Sequence, residues 1–248
     1  ILDYINYISD DRSCNFKIKI MFKNKNFFFK KKILIYGLGK TGLSSYYFLK
    51  KYNDLILFDD NKITNKKYPK KFFLSINKIK KVKFDYILIS PGININKCKL
   101  RKFLKKNLLK IITDLDVFYC MNYNNKIIAI TGTNGKSTTA HLTYLILKKQ
   151  NKDARLCGNI GNPILFEKKI SKKTIFVVEV SSYQIEYSKF FKADFAIILN
   201  ISPDHLERHN SMKNYIDAKF KLIKNQSKDG FAFINEKDKY LKSRIKNK

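Results

Sequence analysis

The chain has 248 residues, 44% hydrophobic and 14% aromatic, which is enough apolar side chain for one or two real cores and too much for a disordered segment or a staple-dependent miniature. Its formal net charge is +31, yet only five of the 51 basic residues are Arg, and Lys pairs are scattered from Lys31 to Lys173 without one basic tract. Such a diffuse Lys excess, alongside many Asn, Ile, Phe and Tyr residues, reads as AT-rich codon usage and not as a nucleic-acid interface, which leans on Arg for planar bidentate contacts.

Residues 1–29 show neither a period of two nor one of 3.6, and are read as an extension ahead of the first domain, with Met21 as the expected true start. Apolar runs of strand length then follow at 33–36, 55–58, 86–89, 127–130, 175–180 and 195–199. Between them, 43–51, 100–109, 137–149 and 212–225 carry helical spacing. Repeated strand–helix units predict an α/β fold with a mainly parallel sheet. The polar stretch 121–125 interrupts the pattern, so a boundary is expected near Tyr119 to Asn125, dividing a domain of 30–122 from one of 123–248. A last strand is expected at 231–235, with no terminal helix to cover it.

Cys14, Cys98, Cys120 and Cys157 form no CxxC pair, so neither a zinc knuckle nor a disulfide framework is expected, and a reducing cytoplasm fits. No apolar run approaches the roughly 18 residues of a membrane span, and no signal-peptide pattern opens the chain. A cytosolic protein without a membrane span is the expectation.

Two glycine loops carry the chemistry. Gly37-Leu38-Gly39-Lys40-Thr41-Gly42 follows a predicted strand and opens a helix, with Asp59 at the end of the next strand. That context suits a diphosphate at a helix N-terminus, and Asp59 suits the ribose of NAD or a different sugar hydroxyl. Thr131-Gly132-Thr133-Asn134-Gly135-Lys136-Ser137-Thr138 ends in a phosphate grip, where backbone NH groups cradle phosphates, Lys136 neutralises them, and Ser137 or Thr138 offers a hydroxyl to magnesium. The glycine of a standard P-loop five positions before Gly135 is replaced by Ile130. His205 and His209 stand four apart, but no Glu follows His205 as in the HExxH signature, so zinc is not expected, and His209 and His141 are read as structural.

The second loop, Gly132 to Thr138, resembles the ATP loop of the muramyl ligases of bacterial cell-wall synthesis. Three further segments follow in that family's order: Gly158-Asn159-Ile160-Gly161; Glu179-Val180-Ser181-Ser182-Tyr183-Gln184-Ile185-Glu186; and 200–209, containing Asp204-His205 and Arg208-His209. The wording of the Ser-Ser-Tyr-Gln block and of the first glycine loop is similar to the D-glutamate-adding members, with folylpolyglutamate-type ligases and NAD-binding proteins as rivals.

The resemblance implies a Rossmann-like domain for a uridine-diphosphate sugar, followed by a P-loop-type ATPase domain. The implied activity is ATP-dependent, ADP-forming ligation of D-glutamate to UDP-N-acetylmuramoyl-L-alanine through an acyl phosphate, in peptidoglycan precursor synthesis by a cytoplasmic, monomeric enzyme. It implies ATP on Gly132, Thr133, Asn134, Gly135, Lys136, Ser137 and Thr138, and sugar nucleotide on Gly39, Thr41, Asp59, Gly92, Asn159 and His205. Two magnesium ions are implied on Ser137, Glu179, His205 and Lys219, the last as a carbamate, with Lys136, His205 and Lys219 catalytic. Asp60 departs from the family, where many relatives place a small hydroxyl residue. The likeness covers 33 to about 235, the family's first two domains, so a third domain is expected to be missing and the chain to turn over poorly alone.

Overall fold

The computed structural model describes residues 27–61 and 67–245. Its first sheet is built from β1 (Lys32–Tyr36), β2 (Asp54–Phe58), β3 (Tyr86–Ile89) and β4 (Ile111–Ile112), all parallel, in the order β2-β1-β3-β4. Successive residues of a strand face opposite sides of the sheet. Ile33, Leu34 and Ile35 are nevertheless all fully buried, as expected for a parallel sheet covered on both faces. Helix α1 (Lys40–Leu49) follows β1, α2 (Ile76–Ile79) precedes β3, and α3 (Arg101–Lys106) precedes β4. The strand order reverses between β1 and β3, and ligands gather outside the carboxyl ends of strands at such a crevice.

Helix α4 (Asp114–Asn122) leads into the second sheet, made of β5 (Lys126–Thr131), β6 (Ala154–Gly158), β7 (Ile175–Glu179), β8 (Phe195–Ile198) and β9 (Phe231–Ile234). The order is β6-β7-β5-β8-β9, again all parallel. Its helices are α5 (Lys136–Lys149), α6 (Ser182–Glu186), α7 (Leu206–His209), α8 (Met212–Lys224) and α9 (Lys239–Ile245). The expected α/β architecture with parallel sheets is the one observed.

Helix α4 is tied across the fold by one carboxylate. Asp116 Oδ1 accepts from Ser188 Oγ at 2.7 Å and from the amides of Lys189, Phe190 and Phe191 at 2.8, 2.7 and 3.2 Å. Its Oδ2 accepts from the Thr113 amide at 3.0 Å, completing a capping box in the helix's first turn, where a negative charge is also favoured by the helix dipole. Lys189 in turn donates to the carbonyls of Leu108 and Leu109, both at 2.8 Å. One hydrophobic cluster runs from Ile33, Leu55 and Leu88 of the first sheet to Phe176 and Ala196 of the second.

Two expectations need adjustment. Residues 1–26 lie outside the described residues, but the end of the supposed extension is packed: Phe28 is fully buried, with its ring 5.1 Å from that of Tyr86. At the polar run 121–125, α4 extends to Asn122 and Asn125 Nδ2 donates to the carbonyls of Ser171 and Thr174. A terminal helix does exist. Leu241 of α9 is fully buried in a cluster with Ile198, Ile201, Tyr215, Ile216 and Phe220, with Tyr240 packed against it, so apolar contacts seat a helix whose Lys-rich sequence hid it.

Candidate nucleotide-binding site

The carboxyl ends of the second sheet's strands converge because their register is level: Ile130 pairs with Glu179, Glu179 with Gly158, and Thr131 with Ile198. The phosphate loop leaves β5, and α5 begins directly after Gly135. The first turn of this helix presents backbone NH groups without intrahelical partners beside exposed Ser137 and Thr138. Asn200, just beyond β8, clamps the loop from the side: its Oδ1 accepts from the Asn134 amide at 2.9 Å and its Nδ2 donates to the Asn134 carbonyl at 3.1 Å. Lys136 Nζ donates to the Thr133 carbonyl at 2.7 Å, so its charge sits on the loop it would serve.

Glu179 is 1% exposed at the end of β7. Its Oε1 accepts from Asn159 Nδ2 at 2.8 Å, while its Oε2 is buried without a hydrogen-bond partner among the described residues. A buried polar atom left unpaired costs about 1–3 kcal/mol, so it marks a position built for something else. A hard divalent cation takes carboxylate oxygens, and the residues present fit magnesium on that ground. Gly158 is fixed by close approach: it has φ +106°, and a Cβ there would stand 2.4 Å from the Glu179 carbonyl oxygen. A side chain at 158 would push the two strand ends apart.

Helix α8 supplies the other wall. Tyr215 and Lys219 are four residues apart, hence on one face. Tyr215 OH lies 3.0 Å from Thr133 Oγ1. Lys219 is 1% exposed, with Nζ donating to the Gly132 carbonyl at 2.7 Å and lying 4.7 Å from the centre of the Tyr215 ring. Burial, then the charge of Lys136, lowers its pKa to about 7, with Asp204 opposing. Near neutral pH a large share of this amine is unprotonated and nucleophilic.

The segment between β8 and α8 carries the two histidines in different roles. His205 has a left-handed backbone, φ 53°, ahead of α7. Its half-exposed ring has Nε2 3.3 Å from Asp204 Oδ2 and packs 4.8 Å from the Tyr183 ring, centre to centre. It lies 6.4 Å from the ring of Tyr215, against which Lys219 also rests. His209 is buried with Nε2 3.0 Å from Ser182 Oγ, and burial lowers its pKa to about 4. It holds α7 to α6 as a neutral ring.

At the first glycine loop, a Cβ on Gly42 would stand 2.1 Å from the Gly37 carbonyl oxygen, so only glycine lets α1 start this close to the strand end. Ser90 Oγ donates to the same carbonyl at 2.7 Å, which joins the loop to the turn holding Gly92 after β3. Gly39 and Gly92 are exposed, and Thr41 is half-buried in the first turn of α1. Asp59 is occupied by its own chain: Oδ2 accepts from the Leu38 amide at 2.7 Å and Oδ1 from the Asn61 amide at 2.9 Å. Asp60 accepts from the buried Tyr36 hydroxyl at 2.6 Å.

The structure therefore gathers the phosphate loop, Asn159, Glu179 and Lys219 at the carboxyl ends of the second sheet's strands and places Gly39, Thr41, Asp59 and Gly92 around the crevice of the first sheet. Sequence reasoning assigned no role to Asn200, Tyr215 or Arg208. For Tyr215 a signal existed, the four-residue spacing to Lys219; for Asn200 and Arg208 the partners are distant in sequence.

A sheet whose strand ends combine a phosphate loop with a buried acidic residue defines a nucleotide-binding α/β protein. A family model described as Mur ligase middle domain matches residues 130–248. The chain is 38% identical over 215 residues to UDP-N-acetylmuramoylalanine–D-glutamate ligase of Rickettsia bellii, covering 85% of this chain and 47% of the relative. It is 37% identical over 219 residues to the ligase of the same name from Caldicellulosiruptor saccharolyticus, covering 84% and 48%. The chain thus spans about half the length of these relatives.

Among solved structures, the fold is similar to UDP-N-acetylmuramate:L-alanyl-gamma-D-glutamyl-meso-diaminopimelate ligase from Neisseria meningitides, with TM-score 0.58 and 16% identity over 88% of this chain and 75% of that one. UDP-N-acetylmuramate-alanine ligase from Thermotoga maritima gives TM-score 0.51 and 22% identity over 85% and 50%. Among the described residues no helix is long and apolar enough to cross a membrane.

Proposed function

We propose that this chain provides the sugar-nucleotide and ATP sites of a ligase that joins D-glutamate to UDP-N-acetylmuramoyl-L-alanine. Residues 30–122 form the sugar-nucleotide unit and 123–248 the ATP unit. The observation that carries the reading is the buried Glu179 carboxylate, unpaired at one oxygen among the described residues and level in register with the end of β5, from which the phosphate loop leaves. The names and identity of the curated relatives support the choice of substrates.

The chemical problem is electrostatic, because a carboxylate must attack the γ-phosphorus of a polyanion. Gly132 to Thr138 would cradle the phosphates, and Lys136 would turn from the Thr133 carbonyl to the terminal oxygens as they arrive. Ser137, Glu179, His205 and Lys219 would hold magnesium, which when bound offsets phosphate charge. Lys219 would serve as a carbamate, formed when its free amine adds to carbon dioxide and releases a proton. Gly39, Thr41, Asp59 and Gly92 would take the uridine diphosphate, and Asn159 and His205 the muramoyl end, so the ligand spans both units. The substrate carboxylate then displaces ADP to give an acyl phosphate. The amine of D-glutamate displaces inorganic phosphate from it, losing a proton as the amide forms.

Titration of the purified chain with a non-hydrolysable ATP analogue, at about physiological salt where diffuse charge is screened beyond roughly 8 Å, tests the second site. Saturable binding that strengthens on adding magnesium is expected. A folded chain that fails to bind, or binds equally well with and without magnesium, contradicts the assignment.

A further inference from the structure

We propose that Arg208 is a positioning residue that sets the sugar-nucleotide loop against the ATP site. The proposal rests on the reading above and adds a residue to which that reading gave no part.

Arg208 sits three residues after His205 on α7, with its side chain 6% exposed. Nε donates to Glu186 Oε2 at 2.9 Å, and an outer guanidinium nitrogen donates to the backbone carbonyl of Ile93 at 2.7 Å. The guanidinium also lies 5.1 and 5.7 Å from the ring centres of Tyr183 and Tyr187. Ile93 belongs to the turn after β3: its amide donates to the Ser90 carbonyl at 3.0 Å, and Ser90 Oγ in turn holds the Gly37 carbonyl. Tyr187 packs into the first sheet's cluster of Leu34, Ile87 and Ile89.

One planar fork on the segment that carries His205 thus joins Glu186 to the turn after β3, which in turn holds the glycine loop through Ser90. A ligand reaching from one loop to the other needs this spacing fixed before it binds, since misplacement of a bridging site costs affinity and rate. Lysine keeps the charge but has no rigid fork able to serve Glu186 and Ile93 together.

The test compares Arg208→Met and Arg208→Lys with the parent chain by calorimetry, using three probes: UDP, which contacts the first loop alone, a magnesium-bound ATP analogue, which contacts the second alone, and UDP-N-acetylmuramoyl-L-alanine, which spans both. Loss of a buried charge-assisted hydrogen bond predicts weakening of the bridging ligand by about tenfold or more, with UDP and the ATP analogue within about twofold of the parent. Arg208→Lys should fail to restore the bridging ligand while remaining folded, which keeps the test decisive should Arg208→Met not fold. Unchanged affinity for the bridging ligand, or an equal loss for all three probes, overturns the positioning role. A parent chain that binds neither UDP nor the bridging ligand overturns the functional reading itself, a result separable from the first.

Discussion

Glu179→Gln is expected to make the ligand-free chain more stable while removing the magnesium dependence of its nucleotide binding. A carboxylate that is 1% exposed and has one oxygen without a partner among the described residues is held at a cost, since desolvating a charge is repaid only when its remaining lone pairs are satisfied. Glutamine keeps the shape, and its amide oxygen can still accept from Asn159, but the charge is gone. A gain of about 1–3 kcal/mol in unfolding free energy is expected without metal. A structural role for Glu179 predicts the opposite sign. Denaturant unfolding in chelator, paired with analogue titration with and without magnesium, reads both effects; a destabilised variant that still responds to magnesium would sink the assignment.

Lys219→Met is expected to act through the same balance with a pH signature. Because burial lowers the folded-state pKa to about 7, the folded chain binds fewer protons than the unfolded one above that pH. The cost of keeping the ammonium is therefore present in full below pH 7 and fades as pH rises toward the ordinary lysine range. The variant, partly penalised by leaving the Gly132 carbonyl without its donor, should gain roughly 1–4 kcal/mol near neutral pH and lose that advantage at alkaline pH. Unfolding midpoints across pH measure this directly. Exposure to 13C-labelled carbon dioxide should give the parent chain a carbamate carbon signal by NMR that the variant lacks. A signal of equal strength in both would place the carbamate elsewhere.

Much of the fold was legible because parallel strands buried on both faces are written as apolar runs, such as 33–36 and the Ile175-Phe176-Val177-Val178 that opens the run read at 175–180. Strand β6 was missed because Ala-Arg-Leu-Cys-Gly is no such run: Arg155 is half-exposed, and among the described residues the strand lies at the sheet edge, paired with β7. Helix α4 escaped too, although Thr113-Asp114-Leu115-Asp116 spells its capping box. At the site, the glycine loops were local signals. Lys219 was not, since among so many lysines nothing local marks the buried one, and only the resemblance singled it out. Arg208 reaches a carbonyl 115 residues away, and no spacing in the sequence encodes that contact.

The measurement that bears most directly on the account is calorimetric titration of the chain with UDP-N-acetylmuramoyl-L-alanine against NAD, because the first glycine loop and Asp59 alone suit either dinucleotide or sugar nucleotide. Saturable binding of the sugar nucleotide with none of NAD is the predicted result; binding of NAD by a folded chain that ignores the sugar nucleotide would contradict it.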